Sequence, residues 1–246
     1  MFQARTKADT MKELVTIVST LVDEAKFMID SDGISLRAVD PAHVAMVDLK
    51  LGKDAFESFS AENAELGIDV AKLDQFLRLA KGSEPVDLNH DEDKRRLNVT
   101  VGNTTKKMSL IDTTGMSEPK MPNLSLPAKV TLKMEEIVQG IKASESVSDH
   151  IALTAAPDFF EIICEGDTDQ VQMKLSKDQV QEIVCDEKVR SLFPLEYFAN
   201  MMRAIPPNAN IVLSLGNDYP VKIDFSIADG KGSVTYLLAP RIESSD

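Results

Sequence analysis

Two cysteines, three histidines and an excess of carboxylates are what this 246-residue chain offers for covalent or acid–base chemistry. Cys164 and Cys185 stand far apart with no CxxC spacing, and His43, His90 and His150 fall in three separate segments. A zinc centre needs N and S ligands at closer spacing, and a thiol nucleophile needs a base and an orienting group, which nothing near Cys164 supplies. No HExxH, GxSxG or GxxxxGK[ST] pattern occurs, and Gly230-Lys231-Gly232 reads as a turn, not a phosphate loop. The run Asp91-Glu92-Asp93 reads as the solvated tip of a hairpin rather than a metal site. No catalytic residue, metal site or cofactor is expected, and the two thiols read as reduced and buried in a cytosolic protein.

The side chains that repeat at equivalent places are cations. Lys7 and Lys12, then Lys72, Arg78 and Lys81, then Lys133 and Lys142, then Arg203 lie on the polar faces of four expected helices. The chain as a whole is acidic, with 27 Lys and Arg against 40 Asp and Glu and a formal charge of −13. Such a surface repels nucleic acid and anionic membrane, so cations gathered on helices suggest a local track for a phosphate backbone. With no helix dense in Arg, Asn and Gln and no Trp, the contact is expected to be sequence-independent.

The elements that must carry these residues come in two copies. Residues 1–112 and 128–246 are acidic and of similar length, joined by a linker at 113–127 that holds Pro119, Pro122 and Pro127 and no apolar period. Shifted by 125, Val70–Arg78 falls on Leu195–Arg203, and Arg78 meets Arg203. Shifted by 123, Met11–Val15 falls on Met134–Val138. Lys7–Leu21 has the spacing of an amphipathic helix, with Asp9 or Thr10 as its expected cap. Lys26–Leu51 and Glu84–Asp112 read as strands, and Val70–Leu79 as a second helix. The expected fold is α+β: two duplicated domains, each with two helices packed on antiparallel sheets. The longest apolar stretch near the start, Leu14–Val22, is too short and too interrupted to span a membrane, and no secretory signal is read in the first residues.

Three segments carry a family resemblance. Met1-Phe2-Gln3-Ala4-Arg5, Asp40-Pro41-Ala42-His43-Val44 and Tyr236-Leu237-Leu238-Ala239-Pro240-Arg241-Ile242-Glu243 closely resemble the sliding clamps of the proliferating cell nuclear antigen family. Ile223–Asp229 and the linker after Leu110-Ile111-Asp112 fit the same pattern. The resemblance runs the full length and is nearer to archaeal than to eukaryotic members. It implies a non-enzymatic processivity factor: a homotrimeric ring, set around duplex DNA by an ATP-driven clamp loader, cytoplasmic and nucleoid-associated in an archaeal cell, nuclear in a eukaryote. Lys12, Lys72, Arg78, Lys81, Lys142 and Arg203 would then face the DNA. Glu13, Ser19, Gln75 and Gln139 stand where relatives are often basic, so this lining should be less positive.

The resemblance also implies a pocket for short plug motifs of DNA polymerase, flap endonuclease and DNA ligase. Its residues would be Val39, His43, Val44 and Met46, linker residues Met121, Leu124 and Leu126, then Pro220, Leu237, Ala239, Pro240 and Ile242. Leu237 stands where many relatives carry Tyr. Subunits would join through edge strands at Lys106–Asp112 and Val171–Ser176, using Lys106, Lys107, Met108, Leu110, Val171, Met173 and Leu175. The two lysines would meet acidic residues near Glu165 and Asp167–Asp169 of the neighbour. Two other readings stand beside this one: a clamp subunit that works only in a heterotrimer, and a hydrolase using Cys164 or Asp91–Asp93.

Overall fold

The structure is a computed structural model that describes residues 1–242, so Glu243 lies outside the described residues. The chain divides into two compact units, Met1–Lys120 with Ser226–Val234, and Met121–Phe225 with the segment from Thr235 onward.

The first unit runs β1 (Phe2–Lys7), α1 (Ala8–Ser19), β2 (Glu24–Asp30), β3 (Gly33–Val39), β4 (Ala45–Gly52), β5 (Ser58–Ala61), β6 (Ala64–Asp69), α2 (Val70–Leu77), β7 (Pro85–Asp91), β8 (Arg96–Val101) and β9 (Thr104–Ser109). The order then repeats. β10 (Ala128–Lys133), α3 (Glu135–Ser144), β11 (His150–Ala156), β12 (Phe159–Glu165), β13 (Gln170–Ser176), β14 (Glu182–Val184), β15 (Val189–Pro194), α4 (Leu195–Ala204), β16 (Asn210–Leu215), β17 (Val221–Ile227) and β18 (Gly232–Leu238) follow. Even the short 3-10 turn after β4, Lys53–Ala55, has its counterpart after β13 at Lys177–Gln179. The duplication is therefore one of whole elements.

Each unit packs its helices on antiparallel strands. In the first, the strand order β5-β1-β7-β8-β9 forms one sheet, and β4-β3-β2-β6 lie side by side. In the second, β13-β12-β11-β15 and β14-β10-β16-β17 repeat those orders. Met11, Leu14, Val15, Ile17 and Val18 bury the inner stripe of α1, and Leu73, Phe76 and Leu77 that of α2. Each such side chain taken from water contributes about 1.5–3 kcal/mol, which is what holds helices this short.

The helix ends depart from the expected capping. α1 starts at Ala8 with Lys7 as its N-cap and no side-chain cap, so neither Asp9 nor Thr10 fills that role. The loop after α2 does it with backbone instead: the N–H groups of Ala8 and Asp9 donate to the carbonyls of Glu84 and Gly82 at 2.8 and 3.2 Å. In α2 the cap is Asp69, whose Oδ1 accepts the Lys72 N–H at 2.8 Å.

Two tight places are set by glycine. Gly33 has φ +150°, and a Cβ there would lie 2.1 Å from the Leu51 carbonyl oxygen. Gly67 sits on β6, where Ile111 pairs with it across an antiparallel bridge.

Candidate nucleic-acid and partner interfaces

Several of the helical cations are already paired. Lys72 Nζ lies 2.6 Å from Asp69 Oδ2, and the Lys72 ammonium holds that carboxyl below its ordinary value. Arg78 closes on Asp74 one turn back, with Nη2 and Nε at 2.6 and 2.9 Å from Oδ2. In the second unit Arg203 of α4 pairs with Glu145 just past α3, and its Nη1 donates to Asn200 at 2.7 Å. Lys12 Nζ donates to the Ala80 carbonyl at 2.6 Å, tying α1 to the end of α2. Among the described residues, the ammonium groups of Lys81 and Lys142 hold no carboxylate partner, although the Lys81 backbone N–H donates to Glu84 Oε2 at 3.0 Å.

The four helical spans carry Lys12, Lys72, Lys142 and Arg203 against Asp9, Glu13, Asp74, Glu135, Glu136 and Glu196. The helices themselves are not net positive. What they present is a set of cations, several already matched by an acid.

Glu13 is a separate case. It is half-buried on α1, and its Oε2 accepts the Ala228 N–H at 3.0 Å inside the first unit. Burial pushes its carboxyl above the ordinary value of 4.5. A folded value raised in this way means that its contribution to stability is fully present below the unfolded pKa and is lost as pH rises through the folded one. Glu13→Gln keeps an acceptor for Ala228 and cannot ionise. Its melting temperature relative to the parent should therefore climb between about pH 4 and about pH 7. An equal difference at both pH values would remove burial of the carboxylate as the cause.

The segment Asp40–Val44 is a rigid turn. Asp40 is buried, and its carboxylate accepts the N–H groups of Ala42, Val44 and Ala45 at 2.9, 2.7 and 2.6 Å. That cradle forces His43 to φ +58° and leaves it exposed. Val39 pairs with Met46 in the β3–β4 ladder, which brings Val39, His43, Val44 and Met46 to one end of that hairpin. Val39 and His43, with Met28 and Arg37, line a groove of about 310 Å³ whose other wall is the linker stretch Gly115–Pro119. Arg37 fastens that wall: Nη1 donates to the Pro119 carbonyl at 3.2 Å and lies 3.5 Å from Glu118, while Nη2 donates to Asp48 at 3.0 Å. Sequence reasoning missed both Asp40 and Arg37 as positioning residues. An Asp before Pro was the available signal for the first; for the second, only pairing register reveals it.

In the second unit, Met121, Leu124 and Leu126 are half-buried, and Leu126 packs over Gly216. Pro220, Ala239 and Pro240 are half-buried and Ile242 is 73% exposed, whereas Leu237 is buried at 6%. The neighbouring Tyr219, which the sequence reading did not single out, is 52% exposed. The tail is pinned where the Arg241 N–H donates to the Leu192 carbonyl at 2.7 Å.

The edge-strand residues divide as well. β9 ends its sheet and so does β13, and β13 buries no side chain fully. Val171, Met173 and Leu175 alternate as half-buried positions along it. Met173 packs on α3, since a Cβ on Gly140 would meet its Sδ at 2.7 Å. On β9, Lys107 is exposed, but Lys106 Nζ donates to the Lys72 carbonyl of its own unit at 2.8 Å and sits 5.8 Å from the Phe76 ring centroid. Met108 is buried in the core of its unit, and Leu110 is half-buried.

The groups weighed for covalent chemistry are otherwise engaged. The buried Cys164 thiol donates to the Ser144 carbonyl at 3.4 Å and is pushed up by burial, as is Cys185, so neither is poised as a thiolate. Glu92 binds the N-terminal amine at 2.7 Å, and Asp91 Oδ1 accepts the Lys94 N–H within the hairpin tip. Among the described residues no helix is long and apolar enough to cross a membrane.

The family model for the N-terminal domain of proliferating cell nuclear antigen matches residues 1–118, and the model for its C-terminal domain matches residues 120–241. The chain belongs to the proliferating cell nuclear antigen family. Curated relatives agree along their whole length. The "DNA polymerase sliding clamp" of Methanococcoides burtonii is 41% identical over 99% of this chain and all of the relative, and that of Halobacterium salinarum is 41% identical over the full length of both. Among solved structures, one described as the C-terminal region of FEN-1 bound to A. fulgidus PCNA superposes with a TM-score of 0.93 at 30% identity, covering both chains entirely. PCNA from Thermococcus kodakaraensis follows at 0.92 and 25% identity, covering 98% of this chain and all of the other. The element order described above, repeated twice, is thus the two-domain PCNA fold.

Proposed function

We propose that this chain is a DNA polymerase sliding clamp, a non-enzymatic scaffold that closes into a trimeric ring around duplex DNA and tethers replication and repair enzymes. One observation carries the reading. Within the first unit, the opening of β18 lies beside β4, where the Gly52 N–H donates to the Lys231 carbonyl at 2.9 Å. By the duplication, β18 corresponds to β9 and β4 to β13, and those two strands have open edges. A β9-to-β13 pairing supplied by another copy fills both of these edges. Head-to-tail repetition of such a joint either closes a ring or makes a filament, and family membership favours the ring.

Duplex DNA is the occupant that fits the helical cations, which offer phosphate contacts and nothing suited to reading bases. Protein partners fit the groove beside the linker in the first unit, where Val39, Met28 and Met116 offer apolar surface, and, taken separately, the exposed tail of the second unit. Apolar side chains beside extended backbone are the combination that binds short peptides by strand-like hydrogen bonds and a buried plug. The relatives' names supply polymerase, and the solved complex supplies FEN-1, as partner classes. Ligase and an ATP-driven loader belong to the same reading, as does a place beside the nucleoid in the cytoplasm.

Light scattering of the purified chain, joined to polymerase extension on primed circular DNA, tests it. The expected mass is about 81 kDa, three times the 27.0 kDa chain. Recovery of the single-chain mass would instead favour a subunit of a heterotrimer. Arg78→Glu with Arg203→Glu should cut processive synthesis by about tenfold or more with the mass unchanged, because each reversal replaces a phosphate contact with a repulsion. Full processivity in that double variant would move the DNA path away from these helices.

A further inference from the structure

We propose that Asp69, Asp74 and Glu145 act as built-in brakes on DNA affinity, shielding Lys72, Arg78 and Arg203 so that the clamp holds DNA weakly enough to slide. The proposal rests on the reading that these helices face DNA.

Its ground is the pattern of pairing. Lys72 and Arg78 each lie 2.6 Å from a carboxylate oxygen, and Arg203 is closed on Glu145. The ammonium groups of Lys81 and Lys142 lack such a partner among the described residues. The two copies reach the same result by different residues. Arg78 and Arg203 are equivalent under the 125-residue offset, yet Asp74 aligns with Ala199, and Glu145, under the 123-residue offset, aligns with Val22. Arg78 is matched from its own helix, Arg203 from the end of the helix packed beside it. A shared ancestral contact would have used equivalent partners. Two independent partners for one repeated arginine point to the pairing itself as the feature retained.

The physical effect follows from screening and exchange. Exposed ion pairs of this kind are weak and open readily. A passing phosphate can therefore replace the carboxylate, and the carboxylate can take the cation back when the phosphate moves on. A cation already matched by an acid also gathers fewer anions from solution, so its contact with DNA gains less from counterion release.

The test compares the parent assembly with Asp69→Asn/Asp74→Asn/Glu145→Gln. All three changes are near-isosteric, and Asn at position 69 preserves the cap of α2. Anisotropy with a 30-base-pair duplex, over a salt series, reads affinity and slope; single-molecule tracking of loaded clamps reads sliding. The triple variant should bind about threefold tighter or more at 0.1 M salt, and its log K against log salt should steepen by about 0.9 for each contact freed. Diffusion along DNA should slow. Unchanged or weaker binding would overturn the proposal. If Arg78→Glu/Arg203→Glu still loses processivity in that case, the DNA-facing reading survives and only the brake is lost. If neither set changes anything, both fall. Should the triple variant melt early, Glu145→Gln alone, which touches no helix cap, carries the same comparison.

Discussion

Replacing Val171 and Leu175 together by glutamate is expected to break the assembly into single chains of 27.0 kDa. These positions flank Met173 on β13, at the free edge of a four-stranded sheet. Met173 is spared because it packs on Gly140 of α3, where a change would disturb the subunit's own core. Val171 and Leu175 are half-buried in the isolated chain, so their remaining apolar surface is available to a neighbour's strand. Losing that burial and placing two carboxylates in its stead costs about 2–4 kcal/mol at each joint, roughly a 30- to 1,000-fold loss of association. The neighbouring acids Glu165, Asp167 and Asp169 add to the repulsion. Light scattering across a dilution series reads the outcome, and circular dichroism checks that the sheet is intact. Lys107→Glu should weaken association less, since an exposed charge at an edge is screened; Lys106, engaged with α2, should matter for its own unit. A stable assembly of unchanged mass in the Val171/Leu175 variant would remove β13 from the joint.

The parts of the molecule that follow from local chemistry were readable in advance. α1 and α2 announce themselves by apolar residues three and four apart, and Ser31-Asp32-Gly33 announces a turn because only glycine tolerates the φ that Gly33 adopts. β1 and β10 were not read, for a physical reason. Each runs straight into a helix, at Lys7-Ala8 and at Lys133-Met134, with no glycine, proline or capping side chain to mark the change of period. The cations of the helices were legible as positions but not as pairs. Asp74 four residues before Arg78 is a local signal, whereas Glu145 and Arg203 are 58 residues apart and meet only because α3 packs beside α4. Lys106 looked free for a neighbour because nothing local shows that the Lys72 carbonyl lies beneath it. Net charge holds no such information either: it averages over partners that only the fold brings together.

Gly67→Ala is the second change expected to have a large effect, because it strikes the root of the linker. A Cβ at Gly67 would lie 2.4 Å from the Ile111 carbonyl oxygen and 3.0 Å from its carbon, closer than any side chain tolerates. The Ile111 N–H donates to the Gly67 carbonyl at 2.9 Å, so even a methyl group drives apart the bridge that pins the linker as it leaves β9. The duplication supplies a comparison. Leu192 occupies the position equivalent to Gly67, and its carbonyl accepts the Arg241 N–H at 2.7 Å with a full side chain present. The second unit's crossing segment clears a side chain; the linker does not. The strain costs about 1–3 kcal/mol, which the protein relieves by letting 111–119 lift away. That also frees the stretch from Arg37 and widens the groove lined by Val39 and His43. Amide exchange at Ile111 should accelerate by about tenfold or more, and affinity for a plug-motif peptide should fall by a similar factor because the peptide must then order the linker again. The mass of the assembly should not change, since β9 is held upstream by its ladder to β8 from Thr104 to Ser109. Faster exchange with undiminished peptide affinity would show that partners dock elsewhere than along the linker.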